Sequence, residues 1–122
     1  MARSRVDIVD HTYIDAPPGQ VRIPFDDPVW TDQIWPHLRR TLTRDRGVKG
    51  LRWDVTGQVV GEMEIWIEPW RDGAIVHHYV RGSRAGRAPR DVAIRHTLRW
   101  KAAVHLLKDR LEGVTSSSGS GL

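Results

Sequence analysis

The sequence predicts a single α+β domain in which a curved antiparallel sheet packs against one long C-terminal helix. Three observations support this prediction. Strand-like alternation dominates residues 38–81, a helical repeat of apolar residues covers residues 89–112, and a proline-rich segment at residues 15–37 follows the first predicted strand. We expect the domain to span residues 1–113 and residues 114–122 to form a flexible Ser/Gly tail.

The first strand is predicted at residues 5–14, where β-branched residues are frequent and Val6, Ile8 and Ile14 share one face. Asp10 has the same parity and is expected on that face too. An aspartate near the end of a strand is usually solvated. If it points inward, it could instead form an acid/base couple with a histidine across the sheet.

Two short helices are predicted after this strand, because prolines interrupt the segment. Pro18 can occupy the first turn of a helix, where its missing N–H is not needed, but Pro24 and Pro36 prevent any long helix. We therefore place the helices around residues 18–23 and 28–35, with a bend between them.

Residues 38–81 are predicted to form four antiparallel strands, separated by turns at residues 45–47, 56–57 and 71–73. Apolar residues alternate with charged ones, so one face is buried and the other meets water, as in an antiparallel rather than a parallel sheet. The apolar positions that share the inward face are Leu51, Trp53, Val55, Met63, Ile65 and Ile67.

The long C-terminal helix is predicted between Pro89 and Gly113, after a polar loop at residues 82–88. A helix of this length measures about 36 Å, enough to cross a small sheet. The loop lies where phosphate-binding loops lie, but it lacks their Gly-Lys-Ser/Thr ending, so we expect a flexible linker. The residues at helical steps of three and four are Ala93, Thr97, Trp100, Val104, Leu107 and Leu111.

Composition and charge exclude several kinds of protein. There is no cysteine, so disulfides and thiolate chemistry are excluded. No stretch approaches the roughly 20 apolar residues of a membrane span, and the N-terminus lacks the apolar core of a signal peptide, so we expect a cytoplasmic protein. The net charge is +4, with 16 Arg against 3 Lys. Such an arginine bias is typical of GC-rich genomes, so we do not expect nucleic-acid binding.

His77 and His78 are neighbours on the last predicted strand, so their side chains point to opposite faces and cannot both bind one metal or one substrate. The turn decides which one faces inward. A two-residue loop places His78 inward opposite Ile65, and a three-residue loop places His77 inward. The inward histidine is either a hydrogen-bonded core residue, which is the more common case, or a catalytic candidate.

No metal or cofactor is expected. The sequence has no His-Glu-x-x-His motif. His96 and His105 are nine residues apart on the long helix, which places them on roughly opposing faces.

Four segments in order carry a family resemblance: YIDAPPGQV at 13–21, FDDPVWTDQIWPHL at 25–38, GEMEIWIEPWRDGAIVHH at 61–78 and RWKAAVHLLKDRLE at 99–112. They resemble the START-like helix-grip superfamily (SRPBCC), and in particular its bacterial polyketide cyclase/dehydrase and lipid-transport group. The resemblance covers most of residues 5–112 and implies a sheet wrapped around the long helix. Members usually have seven strands, whereas this chain accommodates about five, so we expect a shortened form with a small or partly open cavity.

The resemblance implies binding of a small hydrophobic or aromatic molecule, polyketide- or lipid-like, between the sheet and the C-terminal helix. We favour this function without catalysis. The predicted lining residues are Trp30, Trp35, Trp53, Val55, Met63, Ile65, Ile67, His78, Trp100 and Val104.

Two alternatives stay open. One is a polyketide cyclase or dehydratase, a lyase or isomerase, in which the inward histidine, His78 or His77, acts with Asp10. The other is an arginine-rich interaction module, in which arginines between residues 81 and 99 bind an acidic protein or RNA. The sequence leaves the ligand and the oligomeric state open.

Overall fold

The computed structural model of the protein describes residues 3–85 and 89–113. The predicted fold class is confirmed: one antiparallel sheet of five strands, two short helices after the first strand, and a long C-terminal helix. The strands are β1 (Arg3–Ile14), β2 (Leu38–Asp45), β3 (Gly50–Gly57), β4 (Val60–Trp70) and β5 (Gly73–Ala85), and the helices are α1 (Pro18–Arg22), α2 (Pro28–Ile34) and α3 (Pro89–Glu112). The predicted tail, residues 114–122, lies outside the described residues.

The strand order in the sheet is β1-β5-β4-β3-β2, so the first two strands of the chain form its two edges. The strands β2 to β5 form three successive antiparallel pairs, and β1 pairs with β5 over its whole length. The segment with α1 and α2 connects the two edges. In β1 every second residue is buried, and the inward set is Val6, Ile8, Asp10, Thr12 and Ile14.

The prolines shape the connecting segment as the sequence predicts. Pro18 begins α1, and a 3-10 turn at Ile23–Asp26 makes the bend before α2. Asp27 caps α2, since its carboxylate accepts a hydrogen bond from the backbone N–H of Val29 at 3.0 Å. Both helices end one residue earlier than predicted: α1 gives way to the 3-10 turn at Ile23, and α2 is followed by the approach to β2 at Leu38.

Arg22 joins this segment to the sheet. Its guanidinium donates to the carbonyl oxygen of Gly47 and to the carboxylate of Asp26, both at 2.9 Å. The side chain of Arg22 is largely buried. A buried guanidinium needs such partners, because an unpaired charge away from water is strongly unfavourable.

The loop between the sheet and α3 is shorter than predicted. Residues 82–85 were expected in a polar loop, but β5 continues to Ala85, which pairs with Arg3. The physical reason is that the edge strand β1 is long enough to supply hydrogen-bond partners to this polar stretch. Residues 86–88 lie outside the described residues.

Helix α3 packs on the concave face of the sheet with a buried stripe that differs from the predicted one at its start. Trp100, Val104 and Leu107 are buried as expected. In the first turns, however, Val92 and His96 are buried, and the expected Ala93 and Thr97 are only half-buried. Steps of four residues carry the stripe from Val92 to Val104, and His96 can turn inward because the sheet offers it a polar partner.

Among the described residues, no helix is long and apolar enough to cross a bilayer.

Candidate functional site

The hairpin between β4 and β5 decides which of the adjacent histidines faces α3. Trp70 pairs with Gly73, so the turn contains only Arg71 and Asp72. His78 therefore lies opposite Ile65 on the concave face, and its neighbour on the chain faces outward. The sequence leaves two turn lengths open, and the structure has the shorter one, with two residues.

The space between the sheet and α3 is occupied by aromatic rings. Trp35 lies at the centre: its ring centroid is 5.4 Å from that of Trp53, 6.2 Å from that of Trp100 and 6.4 Å from that of Phe25. Trp35 is 1% exposed and Trp100 is fully buried. These rings, which we call the aromatic cluster, fill much of the volume in which the sequence predicts a ligand.

One polar atom in the aromatic cluster has no partner. Among the described residues, Nε1 of Trp35 is the buried side-chain nitrogen or oxygen that lacks a hydrogen bond. An indole N–H can only donate, and leaving a buried donor unpaired costs about 1–3 kcal/mol. An acceptor oxygen that reached this atom would remove that penalty.

A buried pair of imidazoles lies next to the cluster. Nε2 of His78 and Nε2 of His96 are 2.8 Å apart, and Nδ1 of His78 is 3.1 Å from the carbonyl oxygen of Glu64. Because a carbonyl only accepts, Nδ1 of His78 carries the proton, and its Nε2 accepts from Nε2–H of His96. Burial, with a further contribution from His96, lowers the pKa of His78 to about 3. Burial also lowers the pKa of His96 to about 4, so both rings are neutral at neutral pH.

Asp10 lies opposite His78 in the sheet, but its carboxylate binds other groups. Oδ2 accepts from Nε1 of Trp100 at 2.8 Å and from the hydroxyl of Thr12 at 3.1 Å, and Nζ of Lys101 is 2.7 Å from Oδ1. Burial raises the pKa of Asp10, but the hydrogen bonds from Lys101 and Trp100 outweigh it and leave the pKa below its ordinary value. The acid/base couple of the enzyme hypothesis is thus not hydrogen-bonded in the structure.

A hollow of about 320 Å³ opens where the 3-10 turn and α2 meet the end of the sheet formed by β2 and β3. It gives access to the aromatic cluster from outside, because Phe25 and Trp53 belong to both. We call it the mouth hollow. Its lining consists of Phe25, Asp26, Pro28, Thr31, Arg40, Leu42, Asp45, Leu51 and Trp53.

Arg40 is the cationic group of the mouth hollow. Its guanidinium donates to the carbonyl oxygen of Trp35 at 3.2 Å and forms an ion pair with Asp32. The guanidinium carbon also lies 5.6 Å from the Trp35 ring centroid, which is within cation–π distance. Arg40 therefore connects the rim of the mouth hollow to the residue with the unpartnered N–H.

Comparison with solved structures identifies the architecture. The Aha1 protein of Colwellia psychrerythraea, solved as a dimer, is similar with a TM-score of 0.65 and 17% identity over 88% of this chain and 96% of that one. The fold is the helix-grip fold. Protein DR_A0006 of Deinococcus radiodurans (TM-score 0.65, 14% identity) and protein CV1439 of Chromobacterium violaceum (TM-score 0.58, 16% identity) are also similar, each over 88% of this chain and 98% of its own. No protein-family model matches the sequence, and no curated protein matches it significantly.

In the helix-grip fold the predicted lining residues lie in three places: the mouth hollow, a smaller hollow, and the buried inward faces of the sheet and helices. Trp53 lines the mouth hollow, and Trp30 lines a smaller hollow of about 210 Å³ between α2 and α3. The others lie on inward faces and are essentially inaccessible to solvent: Trp35, Val55, Met63, Ile65, Ile67, His78, Trp100 and Val104. His77, the other candidate for the inward histidine, lies on the face of the sheet that points away from α3.

Sequence reasoning missed three residues of this region: Phe25, Arg40 and His96. A detectable pattern existed only for His96, which lies four residues before Trp100 in the helical stripe. Phe25 belongs to a 3-10 turn and Arg40 to an edge strand. Periodicity marks neither of them, and Phe25 lies in the segment 25–38 of the family resemblance without being distinguished there.

The described arginines of the interaction-module hypothesis lie on β5 and α3. Arg81 lies 3.7 Å from Asp7 and its guanidinium is 5.5 Å from the Tyr79 ring centroid, while Arg84 donates to the carbonyl oxygen of Gln58 at 3.1 Å. Arg87 lies outside the described residues. Within the described part of the chain, no group of three or more His, Asp or Glu side chains is arranged to hold a metal ion.

Proposed function

We propose that the protein binds a small, flat aromatic molecule that carries a hydrogen-bond-accepting oxygen, in the mouth hollow. The unpartnered Nε1–H of Trp35 carries this proposal. It is buried in the aromatic cluster, where the indole N–H of Trp100 donates to Asp10, and its neighbour Trp53 lines the mouth hollow. An oxygen that accepts from this N–H is the polar contact that the site lacks.

The size and lining of the site favour the same class of ligand. A volume of about 320 Å³ is at the lower end of small-molecule pockets, which span about 300–1,000 Å³. Phe25 and Trp53 offer aromatic faces, and Arg40 offers one cationic group at the rim. Flat rings pack against such faces with offset or edge-on geometry. The sequence resemblance to the polyketide cyclase and lipid-transport group favours an oxygenated aromatic ligand as well.

Binding requires the side chains at the mouth to rearrange, because Trp35 is almost completely buried behind Trp53 and Phe25. The ligand would enter past Leu42, a half-exposed residue of the edge strand β2. This strand has a register irregularity between Leu42 and Arg44, a place where pairing is already interrupted. Breaking pairing there costs less than in the sheet centre.

The test is a titration of the protein with 1-naphthol and with naphthalene, followed in two-dimensional NMR spectra of the six indole N–H groups. Trp35→Phe assigns the Trp35 resonance by its disappearance. We expect that resonance to shift with 1-naphthol, and 1-naphthol to bind about 2- to 10-fold more tightly than naphthalene, as one neutral hydrogen bond provides. In Trp35→Phe, which keeps an aromatic ring but no N–H, that preference should vanish.

A matched pair of surface variants locates the site. Leu42 and Val60 are both half-exposed strand residues, at 51% and 45%, and only Leu42 lines the mouth hollow. Leu42→Lys should weaken binding, and Val60→Lys should not. Absence of saturable shifts with either compound, or an unchanged preference for 1-naphthol in Trp35→Phe, would reject the proposed function.

A further inference from the structure

A second cluster of polar rings lies on the outer face of the sheet, on the side opposite α3. His11 of β1 and His77 of β5 occupy directly paired positions on neighbouring strands. Their Nδ1 atoms are 2.6 Å apart, and their ring planes are nearly perpendicular, at 79°. The proposed ligand site uses neither residue.

The ring of His77 is held in one orientation. Trp66 stacks on it with 4.3 Å between centroids and 18° between planes, and Oε1 of Glu68 lies 2.9 Å from its Nε2. A carboxylate only accepts, so Nε2 of His77 carries a proton, and in the neutral ring Nδ1 presents its lone pair towards His11. These contacts leave His77 only 8% exposed, although it lies on the outer face.

We propose that His11 and His77 chelate a divalent transition ion of the zinc or copper class through their Nδ1 atoms. Imidazole nitrogen suits these ions, and a metal-binding histidine usually donates its other N–H to a carboxylate, which is the contact that His77 makes with Glu68. Glu68 is thus a positioning residue: it fixes the tautomer of His77 that leaves Nδ1 free for the ion.

The distances allow this with a small movement. Zinc–nitrogen bonds measure about 2.0–2.1 Å, so two nitrogens on one tetrahedral ion stand about 3.4 Å apart. The Nδ1 atoms of His11 and His77 have to separate by less than 1 Å from their present 2.6 Å. His11 is exposed and can move outward, whereas Trp66 and Glu68 keep His77 in place.

Metal binding changes the tautomer of His11 but not the number of protons that its ring carries. In the metal-free protein the proton between the two Nδ1 atoms belongs to His11, since Nδ1 of His77 is an acceptor. When the ion binds, this proton is released to water, and Nε2 of His11 takes up a proton from water. Within the described part of the chain no third His, Asp or Glu completes the site, so two positions of a tetrahedral ion remain for water or an external ligand.

Calorimetric titration of the full chain with zinc chloride tests the proposal. We expect one saturable site per chain that EDTA empties. His11→Ala should abolish it and leave the protein folded, because His11 is exposed and its removal costs His77 one hydrogen bond. His105→Ala is the matched control: His105 is an exposed histidine on α3, and its loss should leave zinc binding unchanged.

Glu68→Gln separates a positioning role from a structural one. We expect this variant to bind zinc about 10- to 100-fold more weakly. Ring ¹⁵N spectra should show His77 as the Nε2–H tautomer in the wild type and a mixture of tautomers in the variant. Zinc binding that is absent from the wild type, or that is equal in the wild type and His11→Ala, would overturn the proposal. Unchanged zinc affinity in Glu68→Gln would overturn the role of Glu68.

Discussion

Trp100 on α3 donates its indole N–H to the carboxylate of Asp10 on β1, with 2.8 Å between Nε1 and Oδ2. The next residue of the helix, Lys101, binds the other oxygen of the same carboxylate at 2.7 Å. Two consecutive residues of α3 thus hold one acidic group of the edge strand. These contacts hold the C-terminal helix against the first strand of the chain.

Removal of the Trp100 ring should destabilise the protein strongly, because the residue is fully buried. We expect Trp100→Ala to lower the free energy of unfolding by about 3–5 kcal/mol in urea denaturation. Trp100→Phe keeps most of the apolar volume but leaves Asp10 without one donor, so its loss should be smaller, about 1–3 kcal/mol. Leu106→Ala, on the exposed side of the same helix, should stay within about 0.5 kcal/mol of the wild type.

Stability should fall in mild acid because of the buried histidine pair. The folded protein holds the pKa of His78 at about 3 and that of His96 at about 4, whereas the unfolded chain titrates near 6.5. Below pH 6.5 the unfolded state therefore binds more protons, and stability decreases as the pH falls towards about 4. The slope should approach about 1.4 kcal/mol per pH unit for each histidine. Denaturation midpoints measured between pH 7.5 and 4.5 check this.

The variant His96→Leu isolates one titration in that experiment. It should be less stable at pH 7.5, since Nε2 of His78 loses its donor. Its stability should nevertheless vary less steeply with pH than that of the wild type. An equal slope in both proteins would show that another group causes the acid sensitivity.

Asp10 should contribute stability that disappears in stronger acid. Its folded pKa lies below its ordinary value of 3.8, so the stabilisation is fully present above that value and is lost as the pH falls through the folded pKa. We expect Asp10→Asn to be clearly destabilising at pH 7 and less so at pH 3. A destabilisation that is the same at both pH values would mean that the charge of Asp10 plays no part.

Gly50 should not tolerate a side chain. Its φ is +131°, and a Cβ atom there would lie 1.9 Å from the carbonyl oxygen of Ile65 on the paired strand. We expect Gly50→Ala to cost more than about 1 kcal/mol in the free energy of unfolding. Gly19→Ala is the control, because a Cβ at Gly19 meets open space and alanine favours the helix. Equal stability of the two variants would contradict the close approach of β3 and β4.

Much of the fold was predictable because it depends on local patterns. The alternation of Met63, Ile65 and Ile67 with glutamates determines their inward face, and the structure buries all three. The prediction of where the buried stripe of α3 begins was wrong by one residue. Apolarity favoured Ala93 there, but burial of His96 depends on the position of His78 in the sheet, which helical periodicity does not contain.

By itself the sequence determined the order of the elements, the inward faces of β3 and β4 and the ends of the helices to within a residue, because turn residues, prolines and periodicity act over a few neighbouring positions. The tertiary structure alone decided which rings meet. Trp100 reaches Asp10 across 90 positions of the chain, His77 meets His11 across 66, and Trp35 lies among rings from distant elements with an unpaired N–H. Such contacts follow from how the sheet closes on α3, and that closure depends on the packing of the whole domain.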